Sequence, residues 1–155
     1  MTDDAEPVAS LPVRRAARVI LLDPDDRVLL MRYDQGPPNG RHWATPGGGA
    51  DDDDEGYPAA ALRELAEETG WTDIVLLREV LRRRYDMDYA GRMVSQDERL
   101  YLARTDQRRR ALGDVAAVHA ADGIAAWRWW TLAELDTTDE CVWPAGLAAL
   151  IRAQL

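Results

Sequence analysis

Apolar residues first form a pattern at Arg15, where the chain turns strand-like. Val19-Ile20-Leu21-Leu22 and Val28-Leu29-Leu30-Met31 flank the turn residues Asp23-Pro24-Asp25-Asp26, which predicts a hairpin. Residues 34–42 are rich in Gly and Pro and read as a loop. So do Pro46-Gly47-Gly48-Gly49 and the acidic run Asp51 to Asp54, with Trp43-Ala44-Thr45 between them. From Pro58 to Thr69 strong helix formers dominate; Pro58 suits a first turn and Gly70 is placed to end the helix in a left-handed conformation. Ile74 to Tyr85 and Met93 to Arg104 read as two strands joined around Tyr89-Ala90-Gly91, and Ala125 to Trp130 as another. Thr131 is positioned to cap a short helix through Leu135. Pro144 to Gln154 carries Leu147, Leu150 and Ile151 at helical spacing and should close the core. Ala111 to Gly123 has no readable period and is expected to be a mobile loop.

Composition narrows the setting. The 155 residues are enough for one core, and 46% hydrophobic with 30% charged residues is ordinary for a folded domain. We therefore expect one domain over residues 13–155, preceded by a flexible arm at residues 1–12. No apolar run reaches the ~18 residues needed to span a bilayer. Met1 to Pro12 holds acids and prolines, not a basic start and an apolar stretch, so no membrane association and a cytoplasmic location are expected. Cys141 is the single cysteine and there are two histidines, which leaves no zinc constellation. A net charge of −9 argues against nucleic-acid binding, because an acidic surface repels a phosphate backbone. An anionic substrate would instead need screening, and metal ions held by carboxylates provide it.

The predicted helix supplies such carboxylates. Positions three and four apart share a helix face, so Glu64, Glu67 and Glu68 are expected to converge, with Arg63 four residues before Glu67. Crowded carboxylates repel unless a cation joins them, and oxygen ligands suit hard ions such as Mg²⁺, with Mn²⁺ as a substitute. The alternative is a solvated helix face that keeps the helix soluble. The spacing of the residues around it decides for the first reading. Gly49, Glu55, Arg63-Glu64, Leu65, Glu67-Glu68, Gly70 and Trp71 reproduce the Nudix box: Gly, five residues, Glu, seven residues, Arg-Glu, an aliphatic, any residue, Glu-Glu, any residue, Gly and an apolar residue. Trp71 is bulkier than the usual aliphatic and is expected to fill the core.

The chain thus resembles the Nudix (MutT-like) hydrolases from about Arg15 to Leu150. The resemblance implies an α/β fold, the Nudix α/β/α sandwich with a mixed β-sheet and a loop-helix-loop catalytic motif. It also implies roles by position. Glu64 and Glu68 are metal ligands, Glu67 a further ligand or close neighbour, and the Gly48 carbonyl an additional ligand. Arg63 orients a box glutamate, and Glu55 steadies the loop. Metal would neutralise a diphosphate and lower the pKa of a water for in-line attack on phosphorus. Glu64 and Glu98 are the candidates for the base. In a strand, Glu98 and its neighbour Asp97 face opposite ways, and Glu98 is taken as the inward one.

Around this centre, Asp51 to Asp54 is expected to be a solvated loop. Arg82 and Arg84 share a strand face away from Arg83 and are candidate phosphate contacts, although a surface role is the simpler reading of both Arg triplets, the other being residues 108–110. Tyr85 and Tyr89 are candidate substrate contacts, whereas Trp43 and Trp127 are expected in the core. The box fixes the bond cleaved, not what flanks it. The proline of many ADP-ribose hydrolases is absent, since Asp86 and Met87 stand there, while Tyr89 resembles a marker of diadenosine polyphosphate hydrolases. The leading expectation is a small nucleotide substrate, a nucleoside triphosphate cut by a pyrophosphohydrolase. Diadenosine polyphosphate or ADP-ribose is the runner-up, and a non-catalytic nucleotide sensor the rival from another class. The family's habit makes a homodimer an expectation.

Overall fold

A computed structural model describes residues 10–36 and 40–155. Its strands are β1 (Val13–Leu22), β2 (Val28–Asp34), β3 (Arg41–Ala44), β4 (Gly47–Gly49), β5 (Leu76–Tyr89), β6 (Arg92–Arg104), β7 (Ile124–Trp130) and β8 (Val142–Trp143). The helices are α1 (Tyr57–Thr69), α2 (Ala116–Asp122), α3 (Leu132–Thr137) and α4 (Leu147–Arg152). Of the expected arm, the first nine residues lie outside those described. At Pro12 the carbonyl already accepts the Ser95 N–H at 2.9 Å.

The unbroken apolar runs of β1 and β2 follow from burial on both faces, as sheets covered by helices on each side require. Ala17, Val19 and Leu21 of β1, with Leu29, Met31 and Tyr33 of β2, pack under Ala60, Ala61 and Leu65 of α1. Ile20 and Leu22, with Val28 and Leu30, face the other way onto Leu147 and Ile151 of α4. A helix layer, a mixed sheet and a helix layer result, as expected. The sheet order is β5-β6-β1-β2-β3-β8, with β4 also on β1 and β7 on β2. β6 runs parallel to β1 along its whole length, and the other ladders of β1 are antiparallel.

The first hairpin departs from expectation. β1 and β2 meet only at Leu22 and Val28. Beyond that pair they part, β1 taking β4 as its neighbour and β2 taking β3 and β7. Gly47 to Gly49 is therefore a strand and not the loop its composition suggested. At Gly47 glycine is required by proximity: a Cβ there would stand 2.3 Å from the Ala17 carbonyl oxygen. The helix over Pro58 to Thr69 is observed as α1, closed by Gly70 at φ 81°. The Thr131 cap is also observed, as a capping box with Glu134. Residues 111–123, expected as a loop, contain α2, a two-turn helix with no buried residue, whose short span shows no apolar period to read. Trp71 fills the core beneath it and donates from its ring N–H to the Ala111 carbonyl at 3.3 Å.

Candidate active site

Between α1, β4, the far end of the β5–β6 hairpin and α2 lies a cavity of about 620 Å³, onto which Gly48, Glu64, Glu68, Tyr85 and Tyr89 open. Helical periodicity places Glu64 and Glu68 one turn apart on the α1 face that meets β4. A Cβ on Gly48 would lie 2.9 Å from the Glu64 carboxyl carbon, so any larger residue there would displace that carboxylate from the strand. Glu68 is 2% exposed and accepts the Gly47 N–H at 3.1 Å. Burial pushes its carboxyl up to about 8 despite the nearby Arg18, with Glu64 adding to the rise. Burial likewise raises the Glu64 carboxyl.

The third glutamate behaves differently. Glu67 is half-exposed and held outward by Arg63 at 3.1 Å. Glu67 lies ~100° round the helix from Glu68, and its tie to Arg63 draws it to the side away from Glu68. Among the described residues no three acids, histidines or cysteines are gathered closely enough to hold an ion, which corrects the expected three-carboxylate convergence. Arg63 touches both Glu64 and Glu67 and reaches further. It donates twice to Asp54, at 2.9 and 3.0 Å, to the Gly49 carbonyl at 2.9 Å and to Glu64 at 3.3 Å. Asp54 therefore ties the loop down, its carboxyl held below the usual range by that guanidinium. It leaves the solvated run to Asp51, Asp52 and Asp53, and Glu55 is exposed.

Glu98 is the inward one of the pair Asp97 and Glu98, and is fully buried. Its two oxygens, however, are engaged by Arg18 at 2.8 Å and Arg83 at 2.5 Å, and it does not open onto the cavity. Burial alone would raise its carboxyl; the two guanidiniums outweigh that and hold it below its ordinary value. A carboxylate so clamped is a poor proton acceptor, which argues against the expected role of base. Asp97 points away and accepts the Tyr57 hydroxyl at 2.9 Å.

The same register moves the candidate phosphate contacts. Arg83 pairs with Glu98 across β5 and β6, and residues directly opposite share a face. Arg82 and Arg84 therefore lie on the reverse side, against Glu79 and Ser95, and the structure does not bring them to the cavity. Arg14 and Arg18 of β1 line it instead. Arg14 is held by Gln96 at 2.7 Å and lies 4.0 Å over the Tyr89 ring. Sequence reasoning passed over both, although charges four apart within an apolar strand are the visible signal. Asp122 also reaches the cavity, from α2, which His119 ties to the Glu68 carbonyl at 2.7 Å. No sequence pattern marked it.

A Nudix domain model matches residues 12–150. The chain is therefore a member of the Nudix hydrolase family, whose enzymes use divalent metal ions and act on small nucleotide-derived substrates. Among relatives, it is 33% identical over 138 residues to an RNA pyrophosphohydrolase of Acidiphilium cryptum, covering 81% of this chain and 80% of that one. It is 48% identical over 60 residues to the RNA pyrophosphohydrolase of Caulobacter vibrioides, a match spanning only 33% of that protein and 38% of this chain. Of solved structures, the Nudix domain of Shewanella oneidensis NrtR, complexed with ADP ribose, superposes with a TM-score of 0.67 at 22% identity, covering 99% of this chain and 93% of that one. A MutT Nudix hydrolase from Burkholderia pseudomallei gives 0.59 at 25% identity, covering 89% and 95%. No helix among the described residues is long and apolar enough to cross a membrane.

Proposed function

We propose that this chain cleaves the diphosphate linkage of a nucleoside triphosphate, releasing pyrophosphate by attack of water on phosphorus. The observation that carries the reading is the pair Glu64 and Glu68 packed against Gly47 and Gly48 at the edge of an open cavity. This donor set fits a hard divalent ion. The oxygens are all carboxylate or backbone, the glycine backbone lies against Glu64, and Glu68 is a buried carboxyl whose charge has too little local compensation. Mg²⁺, with Mn²⁺ as a substitute, would be held by Glu64, Glu68 and the Gly48 carbonyl, and would neutralise the diphosphate and acidify water.

The chain's own residues do the rest. Arg63 fixes Glu64 and the Gly49 backbone, so the ligands are positioned before substrate arrives. Arg14, braced by Gln96 and Tyr89, presents a guanidinium to the cavity suited to a terminal phosphate. Glu64 is the carboxylate assigned to accept the proton, since it opens onto the cavity and is less deeply buried than Glu68, which the Gly47 N–H already engages. Arg18 and Arg83 with Glu98 form the rigid wall behind.

The names of the relatives favour a second reading, in which the triphosphate is the end of an RNA. A net charge of −9 weighs against an extended RNA interface. The test is pyrophosphate and nucleotide release from nucleoside triphosphates, diadenosine polyphosphates, ADP-ribose and a 5′-triphosphorylated RNA, with Mg²⁺ and then Mn²⁺. Preferred cleavage of free triphosphates supports the first reading, and preference for RNA the second. Cleavage of none under either ion overturns both and leaves a nucleotide sensor.

A further inference from the structure

Three aromatic rings stand in a column beside the cavity. Tyr33 of β2 and His42 of β3 are directly opposite in the ladder, and their rings stack at 5.4 Å and 15°. β8 runs parallel to β3 with Trp143 beside Ala44, on the face that also carries His42, and the Trp143 ring stacks on His42 at 4.3 Å and 27°. Tyr33 and His42 are buried, at 8% and 5% exposure, whereas Trp143 is 38% exposed, and all three line the cavity. The inner two rings are thus fixed by packing, and the outer one offers a large apolar surface to solvent within the cavity that holds Glu64 and Glu68.

We propose that Trp143 is the platform on which the nucleobase of the substrate stacks, and that His42 and Tyr33 hold its ring in position. This rests on the cavity being the site of nucleotide cleavage. A planar heteroaromatic ring is the ligand that fits, because stacking gains from a rigid, pre-oriented partner and tolerates any base. Trp127, the other partly exposed tryptophan, does not line this cavity. Trp143 selects for a base as such, and leaves the choice among bases to other groups.

The test measures binding without turnover. Titration of the full chain with α,β-methylene ADP, whose phosphorus–carbon bridge is not hydrolysed, is compared with methylenediphosphonate, which lacks the nucleoside, both with Mg²⁺ present. Trp143→Ala is expected to weaken α,β-methylene ADP about 10-fold, the scale of one lost stacking face, while methylenediphosphonate binds as in the parent. Trp143→Phe should recover most of the loss. Melting temperatures of both variants establish that they fold, and Trp143→Phe carries the test if Trp143→Ala does not. Equal weakening of both ligands, or no weakening of the nucleotide, overturns the platform. If Trp143→Ala discriminates the ligands but the parent cleaves no triphosphate, the platform stands and the hydrolase reading fails. If the parent cleaves triphosphates and Trp143→Ala keeps the parental KM, the hydrolase stands and the platform fails.

Discussion

Two deeply buried glutamates sit close to one cavity in opposite electrostatic states. Glu68, on α1, has one neutral N–H as its hydrogen-bond partner, and burial pushes its carboxyl up to about 8. Glu98, on β6, is clasped by Arg18 and Arg83, and its carboxyl is held below the usual range. A buried charge must be paired or change its protonation. Glu98 has its cations built in, so it is part of the scaffold. Glu68 lacks an equivalent pair, which fits the cation-holding role proposed for it. Depth of burial does not separate them; compensation does.

The largest expected effect comes from removing the uncompensated charge. Glu68→Gln should lower turnover at saturating Mg²⁺ by ~10²-fold or more, the scale of one well-placed electrostatic group. Its melting temperature under chelation should be no lower than the parent's, because the lost carboxylate was not stabilising. Parental turnover in this variant would remove Glu68 from the chemistry and erase the contrast.

Glu98→Gln should show the reverse. It leaves two guanidiniums without their anion and is expected to cost about 3 kcal/mol, roughly 6–12 °C in a domain of this size. Asp97→Asn, which keeps an acceptor for the Tyr57 hydroxyl, should cost under about 1 kcal/mol. Thermal melting decides, and equal small losses in both would show that the clasp contributes little.

The two carboxyls also predict opposite pH limbs in chelated protein. A raised folded pKa favours the native state at low pH, so the Glu68 contribution is fully present below the ordinary carboxylate value and is lost as pH rises through about 8. The depressed Glu98 gives stability that is present above the ordinary value and lost as pH falls through its lowered one. Melting across that range should show the alkaline decline weakened in Glu68→Gln and the acid decline weakened in Glu98→Gln. An alkaline limb unchanged in Glu68→Gln would mean that another group carries it.

The smallest expected effect sharpens the register. Arg82→Ala removes an exposed pair with Glu79, which solvent screening leaves nearly neutral for stability, and should leave KM unchanged. Arg83→Ala opens the clasp and should lower the melting temperature clearly more. If Arg82→Ala raises KM instead, the strand face has been assigned the wrong way round.

The sequence by itself determined the local elements and the chemistry written in fixed spacing. α1 was legible because helix formers run from Pro58 to Thr69 and Gly70 closes them. The box was legible because its residues are close in sequence, where spacing translates into a helix face; Glu64 and Glu68 open onto the same cavity, as a turn of ~3.6 residues dictates for positions four apart. Tertiary pairing decided what spacing leaves open. The glycines at 47 to 49 read as a break, and only the approach of β1 made them a strand. The pairing of β5 with β6 set Arg83 against Glu98 and turned Arg82 and Arg84 away. The pairing of β1 with β6 added Arg18, 80 residues away in sequence, and so turned Glu98 from a candidate base into a clamped anion. Trp143, Arg14 and Asp122 reached the cavity from three separate elements. Local propensity acts over one turn or one strand, whereas the charge compensation of a buried group depends on which distant segments fold against it.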